Sequence, residues 1–266
     1  MQFSSDDIQM YYEIDGTGFP VVLLHPFPVH HEFWAPVRAK LANRYQLILP
    51  DLRGHGRSAP GKGTATMSKH ARDLVSLLQA VNLPRAFFVG VSIGGYILFE
   101  LWRQARERFA GLLLSNTRAE PDTDQGRTNR LKSIADSRLH GAGPFFDTQV
   151  QNLIGESTRR NRPDLVAQAR AMMQIMTVEG LAAVQQGMAE RPDSVPTLRT
   201  INVPTLIVAG EEDTLTPVAN AQLMQKHISG ARLNVLPRAG HYAAFENPEE
   251  YARVLRQFLD SLRLSS

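Results

Sequence analysis

The chain contains no cysteine. That excludes disulfides, a thiolate nucleophile and thiolate metal sites together, and it fits a reducing compartment such as the cytoplasm. Long hydrophobic runs are missing too. The longest, such as residues 20–24 and 111–114, fall far short of the roughly 20 apolar residues a membrane helix needs. The opening Met1-Gln2-Phe3-Ser4-Ser5-Asp6-Asp7 lacks the basic-then-apolar order of a signal peptide. These absences predict a cytoplasmic protein with no membrane partner. Charge of one sign is equally scarce, since Lys+Arg 29 against Asp+Glu 26 leaves a net charge of only +3. Basic residues are denser between Arg103 and Arg138, but Glu107, Glu120, Asp122, Asp124 and Asp136 sit among them. No basic stripe with interleaved aromatics forms, so no nucleic-acid partner is expected. Internal repeats and low-complexity tracts are also absent.

What the sequence does have is core-forming material: 43% of its 266 residues are hydrophobic and 21% charged. That length suits one large domain, or one domain with a sizeable insertion. Runs at 20–24, 45–49, 86–91 and 111–114 are almost wholly apolar, as expected of strands buried on both faces of a parallel sheet. Between them, residues 68–81 put Ala71, Leu74, Leu77, Leu78 and Val81 on one helical face. Strand–helix alternation of this kind implies crossover units and a mostly parallel sheet. The rhythm breaks after Asn116. Residues 118–196 are polar and helical in propensity, with helices predicted near 131–134, 164–176 and 178–188. It resumes with strands at 204–209 and 232–236, a helix at 217–227, and a last helix carrying Tyr251, Val254, Leu255, Phe258, Leu259 and Leu262 on one face. The expected layout is a core of residues 1–117 and 197–266, interrupted by a helical cap at 118–196.

One motif stands at a strand-to-helix junction. Gly90-Val91-Ser92-Ile93-Gly94-Gly95 reads G-x-S-x-G, with the strand 86–91 before it and helical sequence after. A strand that turns sharply into a helix forces the serine to positive φ, and side chains two residues either side would collide, so glycines are needed there. A serine hydroxyl needs a base to become nucleophilic, and the base needs an orienting group. Asp213 follows the strand at 204–209 and His241 follows the strand at 232–236. Residues just beyond the carboxyl ends of parallel strands converge on one crevice, so Ser92, Asp213 and His241 are the candidate catalytic residues. Acyl transfer also needs two donors for the developing oxyanion. The Ile93 N–H is one. The other is expected in His25-Pro26-Phe27-Pro28, where both prolines lack an N–H and Phe27 is left as the donor.

These landmarks, with Asp51-Leu52-Arg53-Gly54-His55-Gly56-Arg57-Ser58, Gly210-Glu211-Glu212-Asp213 and Gly240-His241, resemble the α/β-hydrolase superfamily in its own order, from about Met10 to Leu262. The resemblance implies an α/β-hydrolase fold with a helical cap, a Ser92 nucleophile, a His241 base and an Asp213 orienter. It assigns Asp51, Arg53 and His55 to an architectural loop. Pro26 departs from the glycine that most members carry after this histidine. Serine at the nucleophile position counts against haloalkane dehalogenases and epoxide hydrolases, which carry aspartate there. The HPFP loop and Thr117-Arg118-Ala119-Glu120 look most like the 3-oxoadipate enol-lactonase and small carboxylesterase branch, which also holds cofactor-free perhydrolases.

The expected activity is hydrolysis of a small-molecule ester or lactone through an acyl-enzyme on Ser92, with no cofactor. Two alternatives use the same fold: a non-catalytic receptor with a capped pocket, and a perhydrolase or C–C hydrolase on the same residues. His25, His30, His31, His55 and His70 lack compact ligand spacing, so no metal is expected. Met172, Met173, Met176 and Met188 are expected mostly as helix-packing core rather than acyl-pocket lining. Arg118, Arg127 and Arg130 are candidates to meet a substrate carboxylate, although a solvated helix face is expected for most of them.

Overall fold

The apolar runs of the sequence become the interior of one sheet in the computed structural model, which describes residues 1–262. Its strands are β1 (Gln2–Ser5), β2 (Ile8–Asp15), β3 (Phe19–Leu24), β4 (Tyr45–Pro50), β5 (Ala86–Val91), β6 (Phe109–Ser115), β7 (Thr205–Gly210) and β8 (Arg232–Leu236). They lie in the order β1-β2-β4-β3-β5-β6-β7-β8. From β4 onward every neighbouring pair is parallel, while β1–β2 and β2–β4 are antiparallel. Strand β5 is buried at every residue, which is why it reads as a continuous apolar run.

The sequence reading has no counterpart for β1 and β2. Both alternate buried and exposed residues, and β2 places polar Gln9, Glu13 and Asp15 among its aromatics. Such a half-buried hairpin has a weak hydrophobic signal, and the turn between its strands relies on Asp6 at φ +48°.

The helices between the first six strands are α1 (Ala35–Leu41), α2 (Met67–Ala80) and α3 (Ile93–Ala105). Helix α2 starts at Thr66, whose side chain accepts the Lys69 N–H, and it buries Ala71, Leu74, Leu77 and Leu78 along the predicted face. Between β6 and β7 lie α4 (Asp124–His140), α5 (Gly143–Leu153), α6 (Glu156–Asn161), α7 (Pro163–Met173), α8 (Val178–Ala189) and α9 (Val195–Leu198), with no strand among the described residues. After β7 come α10 (Val218–His227), α11 (Ala243–Glu246) and α12 (Pro248–Ser261). In the core α1 packs against α12 and α2 against α3; in the helical excursion α4 packs against α8. Helix α8 rests on the loop before α2: Ala65 N–H donates to Ala183 O at 3.1 Å, and a Cβ on Gly187 would collide with the Ala65 carbonyl.

No helix among the described residues is long and apolar enough to cross a membrane.

Candidate active site

Five loops leave the carboxyl ends of neighbouring parallel strands and meet at one edge of the sheet. They carry Phe27 after β3, Ser92 after β5, Asn116 after β6, Asp213 after β7 and His241 after β8.

Ser92 sits between β5 and α3 at φ +55°, ψ −114°, a backbone conformation L residues rarely adopt. Its neighbours explain how the turn is held. Ser92 N–H donates to Ser115 O at 3.0 Å, and Thr117 Oγ1 donates to Ser92 O at 2.7 Å. Gly90 and Gly94 face one another so closely that a Cβ on Gly90 would lie 2.6 Å from the Gly94 carbonyl carbon. The serine Oγ makes no hydrogen bond among the described residues, and Ser92 lines a cavity of ≈ 380 Å³ shared with Phe27, Tyr96 and His241.

His241 and Asp213 are joined. Nδ1–H of His241 donates to Asp213 Oδ2 at 2.8 Å. The same oxygen accepts from Asn116 Nδ2 (2.9 Å) and Thr216 Oγ1 (2.6 Å), while Oδ1 accepts the Leu215 and Thr216 N–H groups at 2.9 and 3.0 Å. Burial opposes the charge of Asp213, but the adjacent His241 and this full set of donors hold its carboxyl well below the usual range. An ionised Asp213 fixes the histidine as its Nδ1–H tautomer and leaves Nε2 as an acceptor in the cavity. Asn116, at φ +45°, also donates to Gly240 O at 3.1 Å and so ties the aspartate loop to the histidine loop. Sequence reasoning missed Asn116 and Thr216. The available signal was position, since Asn116 directly follows β6 at the sheet edge where the other candidates gather.

Phe27 lines the cavity, and neither its N–H nor that of Ile93, at the first position of α3, has an acceptor among the described residues. Two side chains brace the Phe27 loop. Tyr242 Oη donates to Phe27 O at 3.1 Å. His25 bonds at both ends, with Nδ1–H to Pro26 O at 3.0 Å and Nε2 accepting Leu52 N–H at 3.0 Å. Fully buried, His25 titrates well below an ordinary histidine because burial penalises its cation.

Asp51 and Arg53 are buried away from the cavity. Asp51 accepts from His31 Nδ1 at 2.6 Å and from the His31 and Arg57 N–H groups, while Arg53 bonds Asp73 through Nε and Nη2 at 2.9 and 2.8 Å. His30, His31 and Asp51 bring three ligand-type atoms within 4.8 Å of one another. The His31–Asp51 contact is a hydrogen bond, however, shorter than the roughly 3.3 Å that separates two donors on a tetrahedral zinc. Of the methionines, Met188 lines the cavity, Met173 and Met176 are core, and Met172 packs against it. A larger cavity of ≈ 520 Å³, bounded by α4, α8 and residues 60–64, holds none of the candidate residues.

A family model described as alpha/beta hydrolase fold matches residues 20–248. The chain is 27% identical over 252 residues to 3-oxoadipate enol-lactonase 1 of Acinetobacter baylyi, covering 91% of this chain and 89% of that protein. It is 27% identical to a non-heme haloperoxidase of Rhodococcus erythropolis, covering 97% and 98% of the two chains. Among solved structures, a thermophilic esterase from Thermogutta terrifontis superimposes with a TM-score of 0.95 at 34% identity, over 99% of each chain.

Proposed function

The chain belongs to the α/β-hydrolase fold family, and on that premise we propose that it is a serine hydrolase of small carboxylic esters or lactones, with residues 118–196 as its cap. The observation that carries this reading is a strained Ser92, free of hydrogen bonds, in one cavity with a histidine whose far nitrogen is bonded to an ionised aspartate.

In this mechanism Ser92 Oγ attacks the substrate carbonyl as His241 Nε2 takes its proton. The carbonyl π pair moves to oxygen, where the N–H groups of Phe27 and Ile93 receive it. Collapse of the tetrahedral species expels the alcohol, which takes the proton from His241 and leaves an acyl-enzyme. Water then attacks with His241 as base, and the acid departs as Ser92 regains its proton. Asp213 orients the imidazole and stabilises its cation throughout. Enol-lactonase and esterase relatives support this substrate class. The haloperoxidase relative favours one second reading, in which hydrogen peroxide replaces water at the acyl-enzyme and a peracid leaves.

The test is intact mass after exposure to a fluorophosphonate, with peptide mapping. Stoichiometric labelling at Ser92, absent in Ser92→Ala and lost in His241→Ala, is the expected result. A folded protein that takes no label would overturn the assignment in favour of a non-catalytic receptor. Product analysis with and without peroxide separates hydrolysis from perhydrolysis.

A further inference from the structure

Arg118, Arg130 and Arg191 all converge on one carboxylate. Asp122, buried at 3% exposure, is met by Arg118 Nη2 at 2.7 Å, Arg130 Nε at 2.5 Å and Arg191 Nη1 at 2.8 Å. Burial works against its charge, yet hydrogen bonds from Arg191 and Arg130 outweigh that and hold the carboxyl below its usual range. Three guanidinium groups on one ionised acid leave two positive charges uncompensated.

The three are not equivalent. Arg191 is built into the wall, 3% exposed, with Tyr96 stacked 4.3 Å from its guanidinium and a further bond to Met188 O. Arg118 and Arg130 instead face the cavity that contains Ser92 and His241, whose only carboxylate among the described lining residues is Asp122. Glu120, outside that lining, accepts from Asn220 Nδ2 through Oε1 at 3.1 Å. Arg130 spends Nε on Asp122 and Nη1 on Gln185 (2.6 Å), so its Nη2 has no acceptor among the described residues. Arg118 Nε is buried without a hydrogen-bond partner. Asp122 therefore fixes two guanidinium groups with donor capacity to spare, and the ordering cost is met before any ligand arrives. The expected solvated helix face describes Arg127 instead, which is 47% exposed and paired with Asp124.

We propose that Arg118 and Arg130 form an anion subsite, and that the preferred ester or lactone carries a carboxylate remote from the bond that is cleaved. This rests on the serine-hydrolase reading above. The test compares kcat/KM for the half-ester of a dicarboxylic acid with that for its neutral amide analogue of equal length. Wild-type enzyme should prefer the half-ester about tenfold or more. Arg118→Gln and Arg130→Gln should lower that preference roughly 10- to 100-fold through KM, the scale of a lost charge-assisted hydrogen bond. Arg118→Lys should restore part of it, and Arg127→Gln should keep it. Equal use of both substrates by the wild type, or equal losses on both in the variants, would overturn the subsite. Ser92 labelling reports separately on the hydrolase reading. Should that fail, a free dicarboxylate is still expected to raise the melting temperature of the Ser92→Ala protein. Loss of that shift in Arg118→Gln supports the subsite, and no shift in either protein refutes it.

Discussion

Acid should weaken this protein through its buried histidines before it reaches most of the carboxylates. His25, His55 and His70 are fully buried, and burial lowers the pKa of each: to about 4 for His55, and well below the ordinary value for the other two. In the unfolded chain these rings take up protons as the pH falls through about 6.5. The folded protein resists uptake until much lower pH. Protons therefore favour the unfolded state across that window, so stability is fully present above pH about 6.5 and falls as the pH drops towards about 4. For His55, a gap of about 2.5 pK units at about 1.4 kcal/mol per unit amounts to about 3 kcal/mol. That is a large share of the 5–15 kcal/mol by which domains are usually stable.

The contacts show why the rings resist. His25 uses its two nitrogens as one donor and one acceptor, so a proton on Nε2 would face the Leu52 N–H and loosen the Phe27 loop. Both nitrogens of His70 are buried without partners. His31, whose pKa is raised by the Asp51 beside it despite its burial, and Glu246, whose pKa burial raises, work in the opposite direction and trim the net loss. The assay is urea unfolding followed by fluorescence of the buried Trp34 and Trp102, from about pH 7 to about pH 4.5, for wild type and His70→Leu. The midpoint should fall with pH, and fall less in His70→Leu. A flat profile, or identical slopes in the two proteins, would refute the reasoning.

Gly90→Ala puts a methyl 2.6–2.7 Å from the Gly94 carbonyl, so β5 and α3 must part. We expect a loss of roughly 1–3 kcal/mol together with slower fluorophosphonate labelling, and wild-type behaviour in both assays would refute this account of the tight turn at Ser92. Asn116→Ala removes a donor from Asp213 and another from Gly240 O. Losing a hydrogen bond to a charged group, about 1.5–3 kcal/mol, should lower kcat roughly 10- to 100-fold and leave KM nearly unchanged; a change confined to KM would remove its positioning role.

The sheet was legible where strands are buried on both faces. Phe87, Phe88 and Val89 announce β5 because nothing along that strand meets water, and the last helix announces itself by its apolar face. The edge hairpin of β1 and β2 was not legible, because one face is solvated and its pairing with β4 joins residues such as Glu13 and Leu49 that local pattern cannot connect. The excursion between β6 and β7 was read as helical but with blurred divisions. Helix α4 buries only Ile134 and Ser137, so it carries almost no amphipathic signal of its own.

Legibility of the site follows the same logic one level up. Ser92, Asp213 and His241 could be proposed together because each lies in the loop that leaves a strand, and parallel strands deliver such loops to a single edge. Asn116 stands in the same kind of place, but an asparagine in a turn has so many ordinary uses that position alone did not single it out. The Asp122 cluster is different in kind. Arg118 precedes α4, Arg130 lies within it and Arg191 follows α8, so the three guanidinium groups meet only because α4 packs against α8. Arg118, three residues past β6, stands near a strand end, but no such rule places Arg130 or Arg191, and the sequence around Arg118 and Arg130, rich in both signs, reads mostly as a solvated surface. Positions delivered by strand ends can therefore be proposed from one sequence, whereas a cluster assembled by helix packing takes shape only once the helices are in place.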